Sequence, residues 1–142
     1  MISRRPILCW FAALLCCVGG IGCGKIEPYH AVTGRITLDG QPLADADVSF
    51  VPEGGAGVAS LGRTDAQGVY QLQHTQTLLG APVGDYRVRV STLREAKEND
   101  ETARTAVPER VPPRYNLASE LTVRIEPGEN TLNFTLETAG RR

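Results

Sequence analysis

The sequence predicts an all-β domain, a single antiparallel sandwich of two sheets with about seven strands, over residues 32–137. Three observations predict it. Apolar and polar residues alternate along one short segment after another, turn residues separate these segments, and no segment has a convincing helical periodicity. Because alternation gives each strand one apolar face, such strands can pack as two facing sheets over a common core.

Residues 32–52 contain the first two strands and the turn between them. In the first strand, polar residues occupy one face and apolar residues or glycine occupy the other. Asp39-Gly40 follows this strand, and both residue types tolerate positive φ, which makes the pair a strong signal for a tight reversal. The alternation resumes in the second strand, so both strands can cover the same core.

Three further strands are predicted at residues 58–64, 69–73 and 85–90. In the last of them, apolar residues alternate with Arg87 and Arg89. The two arginines fit the solvated outer face of an antiparallel sheet, and an anion-binding patch is the alternative interpretation.

The final two strands, residues 121–125 and 132–136, are expected to pair as a hairpin across a turn at 127–130. The predicted core takes the apolar positions of the strands. It comprises Val32, Ile36, Leu38, Val48, Phe50, Tyr70, Leu72, Tyr86, Val88, Val90, Leu121, Val123, Ile125, Leu132, Phe134 and Leu136.

Composition favours one globular domain that folds without disulfides. Of the 142 residues, 42% are hydrophobic and 22% are charged. The formal net charge is -1 at pH 7, so electrostatics gives no reason to expect nucleic acid as a partner. All cysteines precede the predicted strands, and the domain must therefore be stabilised by its apolar core. The four cysteines are Cys9, Cys16, Cys17 and Cys23.

Residues 1–22 are predicted to be a lipoprotein-type signal peptide. Two arginines, a short apolar run and a series of small residues precede Cys23, in the order of a secretory signal. Gly22-Cys23 resembles the lipobox of bacterial lipoproteins, although that motif usually has Leu where this chain has Gly20. The resemblance implies that Cys23 carries fatty-acyl chains such as palmitate and becomes the N-terminus of the mature protein.

A lipidated Cys23 would anchor the protein to a membrane of the cell envelope, on its periplasmic or surface face. Residues 23–31 would then form a tether between the lipid and the domain, and residues 138–142 form a tail. The sequence leaves open whether the membrane is the inner or the outer one. An ordinary cleaved signal and an uncleaved anchor are the alternatives to lipidation.

The stretch from Arg94 to Arg114 interrupts the strand pattern. It is rich in charge and proline, has almost no apolar residues to bury, and is too long for an ordinary connection. Such a stretch is either a disordered loop or a partner-binding element. The candidate contact residues mix both signs of charge: Arg94, Glu95, Lys97, Glu98, Asp100, Glu101 and Arg104.

Patterns for catalysis and for metal or cofactor binding are missing from the domain's sequence. The chain has two histidines, His30 in the predicted tether and His74 in the domain, and no local spacing would unite them in a metal site. No serine has an evident base beside it, and no nucleophile motif is present. We therefore expect a protein that is not an enzyme and uses no cofactor.

Several motifs recur in an order that resembles a known family. They are VTGRITLDGQPL (32–43), TDAQGVYQL (64–72), PVGDYRVRV (82–90), PPRYN (112–116) and LTVRIEPGENTLNFTL (121–136). In these motifs the chain resembles the carboxypeptidase regulatory-like, transthyretin-like β-sandwich domains, as in small predicted lipoproteins of planctomycete bacteria. The resemblance implies an immunoglobulin-like or transthyretin-like fold with a scaffold or binding role. The Tyr-Arg-Gly-Ser ending of the transthyretin-like hydrolases is not found in this chain.

The function expected from the sequence is that of a non-catalytic cell-envelope lipoprotein, a β-sandwich module that binds or spaces other components. Its partner would be an envelope protein or a glycan. A carbohydrate-binding surface module is the alternative, but most aromatic residues lie at predicted core positions and no sugar-stacking platform is visible. A hydrolase is the third possibility, and no set of acid, base and nucleophile supports it.

Overall fold

The computed structural model describes residues 29–55, 57–96 and 106–139. These residues form eleven strands and one 3-10 turn, so the prediction of an all-β chain is confirmed. The strands are β1 (Tyr29–His30), β2 (Val32–Leu38), β3 (Gln41–Pro42), β4 (Asp47–Pro52), β5 (Ser60–Arg63), β6 (Val69–Gln71), β7 (Ala81–Pro82), β8 (Gly84–Ser91), β9 (Thr122–Ile125), β10 (Asn130–Thr131) and β11 (Phe134–Leu136), and the 3-10 turn is Pro113–Tyr115. In this described part, no helix is long and apolar enough to cross a bilayer.

One sheet has four antiparallel strands in the order β5-β4-β8-β9. Its centre is the pair of β4 and β8, in which Phe50 lies opposite Val88. The alternation along β8 turns Val88 inward, and Arg87 and Arg89 lie on the exposed face as predicted. The inner face of this sheet therefore supplies one side of the core.

The second large sheet is built around β2. β3 and β6 pair with β2 in antiparallel direction, whereas β10 and β11 pair with it in parallel, with Phe134 opposite Ile36. β1 and β7 form a small antiparallel sheet of their own. Within the described residues none of these sheets closes on itself, and the architecture is that of an open, sandwich-like β domain.

The predicted final hairpin is wrong, and so is the prediction of wholly antiparallel pairing. β9 pairs with β8, whereas β10 and β11 cross to the sheet of β2. Asn130 stabilises the turn between β9 and β10. Its Oδ1 accepts from the Glu126 N–H at 3.0 Å, and its Nδ2 donates to the Glu126 carbonyl at 2.9 Å. Alternation gives each strand an inner face but does not say which sheet the strand joins, so it cannot distinguish a hairpin from a crossing.

Both large sheets contribute to one hydrophobic core. Phe50 lies at its centre, and the ring centroids of Tyr70, Tyr86 and Phe134 are each 6.2 Å from the centroid of Phe50. Aromatic pairs at such separations stabilise a core beyond the area they bury. Because Phe50 belongs to the four-stranded sheet and Tyr70 and Phe134 to the sheet of β2, these contacts join the two layers.

Most of the predicted core positions are buried. The exceptions are Leu121, Val123 and Leu132, which are half-buried and pack against the core. Four further buried apolar residues were not among the predicted core positions: Leu43, Ala46, Ala81 and Val111. Ala46 follows the alternation of Val48 and Phe50, whereas the other three lie outside the alternating segments.

Gly34 lies where the chain after β10 crosses over β2. A Cβ at this position would be 1.8 Å from the Leu132 carbonyl oxygen and 2.9 Å from the Tyr70 ring. The Tyr70 hydroxyl donates to the same carbonyl at 2.7 Å, and burial raises the pKa of Tyr70. The strand therefore needs glycine at this point because there is no room for a side chain.

Candidate functional site

The loop that the sequence predicts as the contact element lies only partly within the described residues. Arg94 and Glu95 are described; the other candidate residues, which lie outside, are Lys97, Glu98, Asp100, Glu101 and Arg104. Cys23 and the predicted signal peptide, residues 1–22, also lie outside the described part of the chain. The two ends of the loop and the surface beside them define the candidate site.

The loop is closed at its base by a pair of backbone hydrogen bonds. Arg94 N–H donates to the Val107 carbonyl at 3.0 Å, and Val107 N–H donates to the Arg94 carbonyl at 2.9 Å. Residues 108–114 return along the domain, and Val111 is only 3% exposed. The expectation of almost no burial from Arg94 to Arg114 is therefore wrong for its second half.

Arg94 is held against the chain that leads into β4. Its guanidinium donates to the Asp45 carbonyl oxygen and lies 3.5 Å from the Asp45 carboxylate. The Arg94 side chain is 29% exposed, and its Nε is buried without a hydrogen-bond partner in the described residues. The side chain thus positions the loop base, and the loop beyond it carries the other predicted contacts.

Glu109 is the second anchor of the loop base. Its carboxylate accepts hydrogen bonds from both sides of the junction between β8 and the returning chain. The donors are Ser91 Oγ (2.6 Å), Thr92 N (3.0 Å), Thr92 Oγ1 (2.9 Å), Arg110 N (3.0 Å), Val111 N (2.9 Å) and Asn116 Nδ2 (2.5 Å). Charge-assisted bonds of this kind are stronger than neutral ones, so the junction is rigid.

The pKa of Glu109 reflects this environment. Partial burial by itself would raise the pKa, but the hydrogen bonds from Ser91, Thr92 and Val111 favour the charged form and lower it to about 2. Glu109 is therefore ionised throughout the physiological range. The carboxylate acts as a fixed acceptor, and a general acid at neutral pH would need the opposite shift.

Two leucines are exposed next to this junction. Leu93 is 54% exposed and Leu117 is 84% exposed. Leu117 borders a surface cavity of about 410 Å³ that also includes Val111 and Pro112. We call the region around Leu93, Arg94, Glu109, Val111 and Leu117 the distal end. It combines a rigid backbone with exposed apolar side chains, which is the composition of a protein-binding patch.

The exposed face of the four-stranded sheet continues from the distal end. A cavity of about 250 Å³ there is lined by Ser49, Ser91, Arg89 and Asn116, among others. Arg87 pairs with Glu53 at 3.0 Å, whereas Arg89 has no acidic partner within 4.0 Å in the described residues. Within residues 29–55, 57–96 and 106–139, Arg89 thus has no salt-bridge partner.

The N-terminus of the domain lies at the other end of the sheet. In β1, Tyr29 is opposite Pro82, its ring centroid is 4.7 Å from that of His74, and His30 Nδ1 accepts from the Gly128 N–H at 2.9 Å. We call β1, β7 and the turn before β10 the N-terminal end. The eight residues of β8 run from this end to the distal end, a span of about 23 Å.

The structure brings together one pair of residues that the sequence did not suggest. Ser60 Oγ lies 3.1 Å from His74 Nδ1, whereas the sequence showed no base beside this serine. Ser60 is fully buried, so a substrate could not reach its hydroxyl. Nothing in the sequence indicated this serine–histidine pair, because the two residues are 14 positions apart and are brought together by the pairing of Leu61 with Gln73. In the described residues no three His, Cys, Asp or Glu side chains form a possible metal site.

Comparisons with known proteins give one structural match. No family model and no curated protein matches the sequence. A crystal structure of a DUF3823 family protein from Parabacteroides merdae is similar to this chain, with a TM-score of 0.42 and 17% sequence identity. The match covers 78% of this chain and 46% of that protein, so the chain spans less than half of its length.

Proposed function

We propose that this chain is a non-catalytic lipoprotein of the cell envelope that binds a protein partner through its distal end. In this proposal the domain is a two-sheet sandwich of the carboxypeptidase regulatory-like, transthyretin-like type. It is anchored by acylated Cys23 and faces the periplasm or the cell surface. The observation that carries the proposal is that the N-terminus and the loop base lie at opposite ends of β8.

This arrangement suits an anchored binding module. Cys23 precedes β1 by six residues, so an extended tether would span at most about 20 Å. The N-terminal end would then stay near the membrane, while the distal end would point away from it by a further length of β8. A partner at the distal end could therefore be reached without steric conflict with the lipid surface.

The contacts of the distal end support a binding role. Glu109 and the Arg94–Val107 pair fix both ends of the loop, which lowers the entropy that binding would cost. Leu93 and Leu117 remain exposed beside this rigid base, although burying them within the domain would have been favourable. Mixed charges in the loop would add local pairing that weakens as salt increases.

The experiment that tests this proposal is site-specific crosslinking in intact cells. A photoreactive residue at Leu117 should give a discrete crosslinked product with an envelope protein. The double variant Leu93→Ser and Leu117→Ser should reduce capture of that protein by purified full-length chain at least about tenfold, because exposed apolar anchors carry much of the energy of an interface.

Val58→Ser combined with Val83→Ser is the matched control. It removes two exposed apolar side chains, 68% and 39% exposed, that lie away from the distal end. This control should bind as the wild type does. Equal loss of capture in both double variants would show that the distal end has no specific role.

A further inference from the structure

A surface groove follows the seam between β5 and the segment after β6, on the side of the domain. Its volume is about 580 Å³, which lies in the range of about 300–1,000 Å³ for ligand sites. Arg63 and Gly62 border it on one side, and Gln71, His74 and Gln76 border it on the other. The groove is separate from the residues that define the distal end.

The backbone at the seam is already fully engaged. Leu61 N–H donates to the Gln73 carbonyl at 2.8 Å, and Gln73 N–H donates to the Leu61 carbonyl at 2.7 Å. A Cβ on Gly62 would be 2.8 Å from the Gln71 carbonyl oxygen, so the floor of the groove is bare backbone. Because the two segments pair with each other here, the groove offers no free strand edge to an extended peptide.

Three glutamine side chains line the groove: Gln71, Gln73 and Gln76. No hydrogen-bond partner is found in the described residues for the side chains of Gln71, Gln73 and Gln76. Asparagine side chains elsewhere differ: Asn116 donates to Glu109, and Asn133 accepts from the Arg35 N–H at 2.8 Å. The glutamines therefore present free donors and acceptors to whatever enters the groove.

The groove carries little net charge. Arg63 Nε donates to the Asp47 carboxylate at 2.8 Å, so the carboxylate offsets the positive charge of the guanidinium and leaves its other N–H groups unused by this bond. His74 Nδ1 lies within hydrogen-bond distance of Ser60 Oγ, and its Nε2 has no hydrogen-bond partner in the described part of the chain. Leu61, which is 56% exposed, adds an apolar surface. The lining thus suits a neutral ligand that has both hydroxyl groups and apolar faces.

We propose that this groove binds a neutral, linear oligosaccharide. Each glutamine amide can donate to one sugar hydroxyl and accept from its neighbour, and Leu61 can contact the C–H face of a ring. In such a site the glutamine amides would supply the hydrogen bonds to the sugar. Binding would therefore not need an exposed aromatic platform, which the sequence does not show. The proposal is independent of the protein-binding role of the distal end.

The test uses purified full-length chain and four probes: cellohexaose, chitohexaose, maltohexaose and xylohexaose. In NMR titrations at millimolar concentration, at least one probe should shift the backbone amides of Gly62 and residues 73–76 in a saturable manner. The double variant Gln71→Ala and Gln73→Ala should bind that probe about tenfold more weakly, a loss of about 1.4 kcal/mol.

Gln41→Ala combined with Gln67→Ala is the control, because both glutamines are exposed and lie outside the groove. It should retain wild-type affinity, and the groove variant should retain capture of the distal-end partner. The proposal is overturned if none of the four probes gives saturable shifts at the groove. Saturation by a hexapeptide alone, or saccharide binding that the groove variant does not weaken, would overturn it as well.

Discussion

Glu109 joins the end of β8 to the chain that returns from the loop. Its carboxylate accepts from side chains of Ser91, Thr92 and Asn116 and from backbone N–H groups on both sides. Removing an acceptor of this kind leaves several partly buried donors without a partner, which costs more than the bonds themselves contribute. A single residue thus controls the shape of the distal end.

We expect Glu109→Gln to lower the free energy of unfolding by about 1.5–3 kcal/mol at pH 7, the range for hydrogen bonds to a charged group. The glutamine keeps the size of the side chain but replaces one acceptor oxygen by a donor. Urea unfolding measures the change. Glu129→Gln, at an exposed position in the turn before β10, is the control and should leave the stability within about 0.5 kcal/mol of wild type.

The same residue predicts a pH dependence. The pKa of Glu109 in the folded protein is about 2, below the ordinary value of 4.5. Its contribution to stability should therefore be fully present above about pH 4.5 and should be lost as the pH falls toward about 2. Glu109→Gln should show a smaller loss over this window than wild type, and identical acid profiles would contradict the role of the carboxylate.

Phe134 determines how the two layers fit. Its ring lies 6.2 Å from Phe50 and 6.4 Å from Tyr70, and it is 8% exposed. We expect Phe134→Ala to destabilise the domain by about 3–5 kcal/mol, because the neighbouring rings can fill the cavity only in part. Calorimetry at pH 7 measures the loss, and a change below about 1 kcal/mol would show that the core is not shared between the sheets.

At the scale of elements, two backbone hydrogen bonds define the base of the loop. The backbone pair of Arg94 and Val107 closes the base, so the loop proper comprises residues 95–106. We expect that replacing 95–106 with a short Gly/Ser linker leaves the melting temperature nearly unchanged and abolishes partner capture. Val107→Pro provides the control, since proline lacks the backbone N–H that donates to the Arg94 carbonyl, and it should therefore lower the melting temperature.

The sequence was sufficient to predict the longer strands but not their partners, and it did not predict the two-residue strands β1, β3, β7 and β10. Alternation along β8 identified Val88 as inward and Arg89 as outward, because each side chain reports its own face. It could not show that β11 lies parallel to β2, since both a hairpin and a crossing bury Phe134. The Leu132 carbonyl leaves no room for a side chain at position 34. Because Leu132 lies 98 positions after Gly34, no local sequence pattern could show this contact.

The candidate sites were predictable to different degrees. Charge and proline content located the loop, but the anchoring role of Glu109 depends on Ser91 at the end of β8 and on Thr92 just after it, which lie 18 and 17 positions earlier. The glutamine-lined groove gave no signal, because exposed glutamines are common and only the pairing of Leu61 with Gln73 brings these together.

For the whole molecule, the position of Cys23 predicts where in the cell the protein resides. If Cys23 is acylated, the mature chain should stay with the membrane fraction, and Cys23→Ser should release it or leave it unprocessed, because paired acyl chains give stable anchoring. Cell fractionation and mass spectrometry of the mature N-terminus measure this. Cys17→Ser, inside the predicted signal peptide, is the control and should not alter the fraction. An unmodified N-terminus on mature protein would contradict the proposed anchor.

The parallel pairing of β11 with β2 has a consequence for folding order. β2 is among the first strands of the domain, yet among the described residues one of its edges pairs only with residues 130–136. The Arg35 N–H likewise donates to Asn133, which lies 98 positions later. Such long-range closure makes folding slow, typically in the range of about milliseconds to seconds. The emerging chain cannot complete this sheet until β11 is available. If the chain is exported as proposed, the late pairing would keep it open while it crosses the membrane.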